Sequence, residues 1–368
     1  MKLPISFYGL DRFYAEYRNS ILQITDMSFE NGYFLDSPEV NAFEQALARY
    51  VGRKFAVTVS SCTDALFLSL KALNIRPNDE VLVPAFSFIA SLSPIIHCGA
   101  TPVFLDVNKN DLTLKTDEIE KKITNKTKAI VVVQLFGGVN RFEPLETISK
   151  KYAIPIIEDA AQALGASFGN RKAGTLGMAS CISFDPSKII HAFGTGGAVL
   201  TDDELFYQQI KRLHYHGKVN KDFLEAGFNC RISSSQAALL NWQLNQLDEW
   251  LKIREKKVEL YKSHLSDVKP ISFFETHVNV KNTFHKMAII TEKRDELKAF
   301  LSQKGIQTNI HYEKLLYEYG LMQKHPFKAE SINDANFIKD HELTLPLYPQ
   351  LTDEEIIYIC NAIKSFYQ

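Results

Sequence analysis

Short runs that are apolar at almost every position recur through the first 200 residues, at 56–60, 80–84, 102–106, 129–135, 155–159, 180–184 and 198–201. Ala129-Ile130-Val131-Val132-Val133 offers water no polar face, so it suits a strand covered on both sides. Between several of these runs lie stretches of helix-like spacing, at 63–73, 87–98 and 144–152. Strand alternating with helix predicts an α/β fold with a mostly parallel seven-stranded sheet. Ligands of such sheets sit beyond the carboxyl ends of the strands, so the residues that close strands carry the most chemical information.

The texture changes after residue 233. Residues 233–265 predict one or two long helices, with Leu239, Leu240, Trp242, Leu244, Leu247, Trp250 and Leu251 in an apolar stripe. Beyond them, short strands are expected at 287–291 and 308–311 and helices at 294–304 and 352–366. Thr352 and Glu355 have the spacing of a capping box that opens the last helix. The division expected is a large domain over 1–250, including an N-terminal arm, and a smaller α+β domain over 251–368.

Composition narrows the function. Lys and Arg number 42 against 43 Asp and Glu, a formal charge of −1, so no broad basic field points to nucleic acid or an anionic membrane. Five scattered cysteines (Cys62, Cys98, Cys181, Cys230, Cys360) form neither a disulfide framework nor a CxxC metal pair. No metal site is expected. No uncharged apolar run reaches 18 residues, and Asp11, Arg12 and Glu16 follow too closely on the start for a signal-peptide core. A cytoplasmic protein is the expectation.

Four local features bear chemistry. In Val59-Ser60-Ser61-Cys62-Thr63-Asp64 a β-type run turns into a helix, whose first N–H groups favour an anion, with Ser61 and Thr63 as added donors. An ordinary serine N-cap accounts for the same residues. In Ile156-Ile157-Glu158-Asp159-Ala160-Ala161-Gln162 a strand ends in two acids. Asp159 can hold a protonated heterocyclic nitrogen or cap a following helix. The strand at 180–184 delivers Ser183 and a turn with Lys188, which is either a desolvated nucleophilic amine or a surface lysine. Gly194-Thr195-Gly196-Gly197 precedes a strand and is not GxGxxG, so it reads as a tight turn rather than a dinucleotide fingerprint. Phosphate cradle, pyridinium partner and Schiff-base lysine are the set that pyridoxal phosphate needs.

These residues sit among wider matches: Gly32-Tyr33-Phe34, Ser37-Pro38-Glu39-Val40, Pro84-Ala85-Phe86-Ser87-Phe88, Gly99-Ala100-Thr101-Pro102-Val103-Phe104, Gly227-Phe228-Asn229-Cys230-Arg231, His311-Tyr312 and Leu345-Pro346-Leu347. With Glu158-Asp159-Ala160-Ala161-Gln162 and Ser183-Phe184 ahead of Lys188, the chain resembles the DegT-type nucleotide-sugar aminotransferases, pyridoxal-phosphate enzymes of the aspartate-aminotransferase-like fold type I. The resemblance implies roles. Lys188 would form the Schiff base and shuttle protons. Asp159 would face the pyridine nitrogen, and Gln162 the ring oxygen. Phe88 would stack on the ring. Ser61, Cys62, Thr63 and Ser183 would bind the phosphate, joined by Asn229 from the other subunit of a homodimer. Gly32, Tyr33, Asp185, His311 and Tyr312 would line the substrate cleft.

The activity implied is amine transfer from an amino acid, by analogy L-glutamate, to a dTDP- or UDP-linked 3- or 4-keto deoxyhexose in cell-surface polysaccharide or glycoside biosynthesis. The chain departs from the family at Cys62, where glycine is usual, and at Gln134 and Asp185, where histidine is frequent. Such changes bear on substrate more than on reaction type. A dehydratase or aromatizing enzyme on a cyclic keto substrate, and a non-catalytic sensor, are the competing readings. A dehydratase branch carries histidine in place of the lysine, so Lys188 favours transamination.

Overall fold

The computed structural model describes residues 4–30 and 32–368. All seven strands of the central sheet form: β1 (Phe55–Val59), β2 (Glu80–Pro84), β3 (Thr101–Leu105), β4 (Thr127–Val133), β5 (Ile156–Asp159), β6 (Ala179–Ser183) and β7 (Gly197–Thr201). Their order is β1-β7-β6-β5-β4-β2-β3. Only β7 runs against the rest, pairing antiparallel with β1 and β6. The start of β7 therefore lies at the same edge as the carboxyl ends of the other six, and Gly197 stands opposite both Val59 and Ser183. Nearly every strand residue is buried, as sequences without a polar face require.

The expected elements shift in detail. The run 129–135 pairs only as far as Val133; Leu135–Gly137 forms a 3-10 turn in which Phe136 takes a φ of 55°. Residues 87–98 make a 3-10 turn, Ile89–Ser91, and a short helix, Ser93–His97, rather than one helix. Residues 308–311 do not form a strand. Asn309 exchanges two backbone bonds with Thr344, and the N–H of His311 then goes to the Glu342 carboxylate, which ends the ladder after one pair.

Ser234–Leu265 is one 32-residue helix, N-capped by Ser233. Its first half packs Leu239, Leu240, Leu244, Leu247, Trp250 and Leu251 against the helices Leu10–Glu30 and Pro38–Val51. Its second half packs Val258, Tyr261 and Leu265 into another core, beneath a small antiparallel sheet of β8 (Ser272–Phe273), β9 (Met287–Ile290) and β10 (Glu342–Leu345). The capping box is present: Thr352 and Glu355 exchange side-chain-to-backbone bonds of 3.2 and 3.0 Å, and Arg12 grips the same Glu355 with two bonds of 2.7 Å. Leu315, Leu316, Ile332, Ala335 and Ile338 belong to the core of the large sheet. Lys328 bonds along β3 at 2.8 and 3.1 Å, which covers an edge that would otherwise present unpaired backbone. At the other end of the chain, Ile5 bonds to Gly305 and Gln307, which sets Phe7 and Tyr8 over the carboxyl edge of the sheet.

Candidate active site

A cavity of about 430 Å³ opens at that edge, in the size range of cofactor and substrate pockets. Ser61, Cys62, Thr63, Phe88, Asp159, Gln162, Ser183, Asp185, Lys188, His311 and Tyr312 all line it. They converge because β1, β5 and β6 end there and β7 begins there.

The helix Cys62–Ala72 points its first turn into the cavity. Ser61 is its N-cap, accepting from Asp64 N–H at 3.1 Å, while the Asp64 carboxylate accepts from the Ser60 and Ser61 hydroxyls at 2.6 and 2.7 Å. Asp64 is thus turned back on the cap, and the Cys62 and Thr63 N–H groups have no intrahelical acceptor. Cys62 is buried, and burial pushes its thiol well above the ordinary range. The glycine turn serves this loop: a Cβ on Gly197 would come within 2.4 Å of Ser61 C and 2.5 Å of Cys62 N. Tight backbone approach is what the glycine tract supplies.

Asp159 is buried at the end of β5. Its Oδ2 accepts from Ser91 Oγ at 2.7 Å and its Oδ1 from Ala161 N–H at 3.2 Å, so it closes a local turn and no helix follows. Burial raises its pKa; the Ser91 bond opposes the rise. Gln162 accepts from Phe136 N–H at 3.0 Å and donates to the Tyr312 hydroxyl at 2.9 Å, leaving one amide hydrogen for a ligand. Lys188 enters no ion pair and no side-chain hydrogen bond among the described residues, and burial lowers its pKa. Phe88, on the rim, is 53% exposed, with its ring centre 6.0 Å from that of Tyr312 and tilted 40° to it. Ser183 accepts from Asp185 N–H at 3.3 Å, and the Asp185 carboxylate closes a turn onto Ser187 N–H and Oγ at 2.9 and 2.6 Å.

Three expected residues lie outside the cavity lining. Gly32 and Tyr33 are exposed, Tyr33 by 62%, and Asn229 accepts from Arg231 Nε at 3.2 Å. They share one surface, where Arg231 bonds Asp36 at 2.6 Å and Ser234 N–H bonds Phe34 O at 2.9 Å. Gln134 is buried away from the cavity, tying Glu158 to Asn140 at 2.7 Å on each side, so this departure from the family is structural. Sequence reasoning missed Tyr8, Ser91, His285 and Lys286, which also line the cavity. Ser91 had no local signal; Lys286, beside a histidine and ahead of an apolar strand, had a weak one.

A cofactor such as pyridoxal phosphate fits this donor set. An uncapped helix start with a glycine cradle suits its phosphate, a buried carboxylate its ring nitrogen, and an unpaired desolvated amine its aldehyde. Residues 16–364 match the DegT/DnrJ/EryC1/StrS aminotransferase family, and the chain belongs to it. It is 32% identical over 364 residues to a dTDP-3-amino-3,6-dideoxy-alpha-D-galactopyranose transaminase of Aneurinibacillus thermoaerophilus, covering 98% of this chain and 99% of that one. The crystal structure of S. venezuelae DesV in complex with a ketimine intermediate superposes with a TM-score of 0.96 at 31% identity, over 100% and 99% of the two chains. The PLP-form of the sugar aminotransferase Spr1654 from Streptococcus pneumoniae, itself described as putative, matches with a TM-score of 0.88 at 27% identity, over 94% and 95%. The protein is a pyridoxal-phosphate-dependent aminotransferase of the aspartate-aminotransferase-like fold.

Proposed function

We propose that this enzyme moves an amino group from an amino acid, L-glutamate by analogy, to a nucleotide-diphosphate-linked 3- or 4-keto deoxyhexose, and that Lys188 is its central residue. The observation that carries the reading is the Lys188 amine: desolvated, without an acid partner, and sharing one cavity with Asp159 and the start of the helix Cys62–Ala72. Pyridoxal phosphate, when bound, supplies an aldehyde that captures amines and a ring that accepts the electron pair left as the amine-bearing carbon loses its proton.

The protein does the rest. Ser61, the N–H groups of Cys62 and Thr63, and Ser183 hold the phosphate. Asp159 keeps a proton on the ring nitrogen; the counter-charge also reverses the burial that raises the Asp159 pKa. Gln162 directs its remaining N–H to the ring oxygen, and Phe88 covers the ring face. Burial lowers the Lys188 pKa, which favours its neutral form, and Lys188 takes and returns the proton at the substrate's amine-bearing carbon. The cycle is ping-pong: the donor leaves as its keto acid before the keto sugar receives the amine.

The enzyme works as a homodimer in this reading. The exposed surface with Tyr33, Phe34 and Asn229 lies outside the lining of its own cavity and carries two large aromatic side chains open to solvent, which supports a role in completing the partner's site. Asp185, His311 and Tyr312 contact substrate. The test is a panel of nucleotide-linked 3-keto and 4-keto sugars with L-glutamate, read by mass spectrometry. An amino sugar appearing together with 2-oxoglutarate is expected. Loss of water from the sugar with the donor unconsumed would replace transamination by dehydration.

A further inference from the structure

One wall of the cavity carries a buried lysine that forms no ion pair among the described residues. Lys286 directly precedes β9, bonds through its N–H to Phe136 O at 3.4 Å, and lines the cavity with Lys188. It is only 9% exposed. Its Nζ lies 4.9 Å from the ring centre of Tyr8 and 5.2 Å from that of Phe7, so aromatic faces, not acids, surround it.

The charged groups nearby do not neutralise it. Lys188 and Arg254 are the neighbouring cations, and burial favours the neutral imidazoles of His285 and His311. Glu342 has its two oxygens taken by the Thr344 hydroxyl and the His311 N–H, and the Asp185 carboxylate is turned onto Ser187. Arg254 is buried as well. It donates to the carbonyl oxygens of Phe284, His285 and Leu347, pins the segment that carries Lys286, and pairs with no acid among the described residues. Burial and the neighbouring cations push the Lys286 amine down to about 7. A buried cation without a counter-ion opposes folding, and it persists most readily where a ligand completes the pair.

We propose that Lys286 anchors a substrate carboxylate in the Lys188 cavity. The inference rests on the transaminase reading, because that reaction brings a carboxylate to this place. In an α-amino acid donor the carboxylate is bonded to the carbon that Lys188 must reach. An acidic acceptor sugar offers the same chemistry from the other half-reaction, and Lys286 would recognise either.

The experiment uses the holoenzyme and two variants, Lys286→Met and Lys286→Arg, with unreactive probes titrated by calorimetry. Glutarate stands for the donor; UDP-glucuronate against UDP-glucose reports a carboxylate on the acceptor. Lys286→Met should weaken glutarate about 10- to 100-fold, the range for a charged hydrogen bond, and Lys286→Arg should restore part of it. Without ligand the methionine variant should melt above the wild type, since the unpaired charge is gone, which a purely structural lysine would not produce. If UDP-glucuronate weakens while glutarate and UDP-glucose do not, the anchored carboxylate is the acceptor's. Unchanged affinity for both acids in Lys286→Met, or no binding of either acid to the wild type, overturns the proposal. Failure of the wild type to take up pyridoxal phosphate would overturn the transaminase reading instead.

Discussion

The two walls of the cavity are built on opposite principles. The wall made by the ends of β1, β5 and β6 is paired almost throughout: Asp159 has Ser91 and Ala161, Gln162 has Phe136 and Tyr312, and Ser61 has Asp64. The facing wall, at residues 285–286, is basic and under-paired. His285 Nε2 is buried with no partner among the described residues, and Lys286 and Arg254 have no acid. A paired wall fixes one geometry for a cofactor that stays. An under-paired wall keeps its donors for molecules that arrive and leave. Lys188 lines the same cavity, and in the proposed reaction it is both the attachment point and the amine that moves protons.

This contrast can be broken first at the paired wall. Asp159→Asn removes the buried carboxylate proposed to face the ring nitrogen and should lower turnover about 10²- to 10⁴-fold while the protein stays folded. Near-normal turnover would mean that another group holds the ring proton. Gly197→Ala comes next. Its Cβ cannot coexist with the Ser61–Cys62 peptide, so the loop must shift, at a cost of about 1–3 kcal/mol, and equilibrium dialysis should show weakened cofactor retention. Retention equal to wild type would remove that loop from the phosphate site.

The facing wall is tested by pH. Burial raises Glu342 to about 8, so the folded chain holds a proton there that the unfolded chain releases near its ordinary pKa of about 4.5. The stability this confers is complete below that lower value and is lost as pH rises through about 8. Glu342→Gln lacks this dependence, so its melting temperature relative to wild type should climb steadily from pH 5 to pH 8. A constant difference would show that Glu342 is ionised throughout. The smallest effect is expected for Ser91→Ala. Asp159 keeps its bond to Ala161 N–H, and turnover should fall only about 3- to 10-fold. A loss as large as that of Asp159→Asn would make the hydroxyl an essential part of the ring-nitrogen site.

The same contrast decides what could be read from the chain. The seven strands were legible because a strand buried on both faces writes a continuous apolar run, and Lys188, Asp159, Gln162 and Ser183 stand directly beside such runs. The expected strand at 308–311 failed because its alternation lacked a long partner: Asn309 meets Thr344 and the chain then turns to place His311 and Tyr312. Ser91 reaches Asp159 across 68 residues and Tyr312 reaches Gln162 across 150, distances at which side-chain type carries no local signature. Lys286 gave only a weak signal for another reason. A lysine is ordinarily solvated, and only the closed packing of Phe7, Tyr8 and Arg254 around it makes it unusual.

The most direct measurement is borohydride reduction of the pyridoxal-phosphate-loaded enzyme followed by peptide mapping. Two desolvated amines line one cavity, and the account requires the cofactor to be attached to one of them. The label is predicted on Lys188 and absent from Lys286. A label on Lys286, or a fully labelled Lys188→Ala variant, would contradict it.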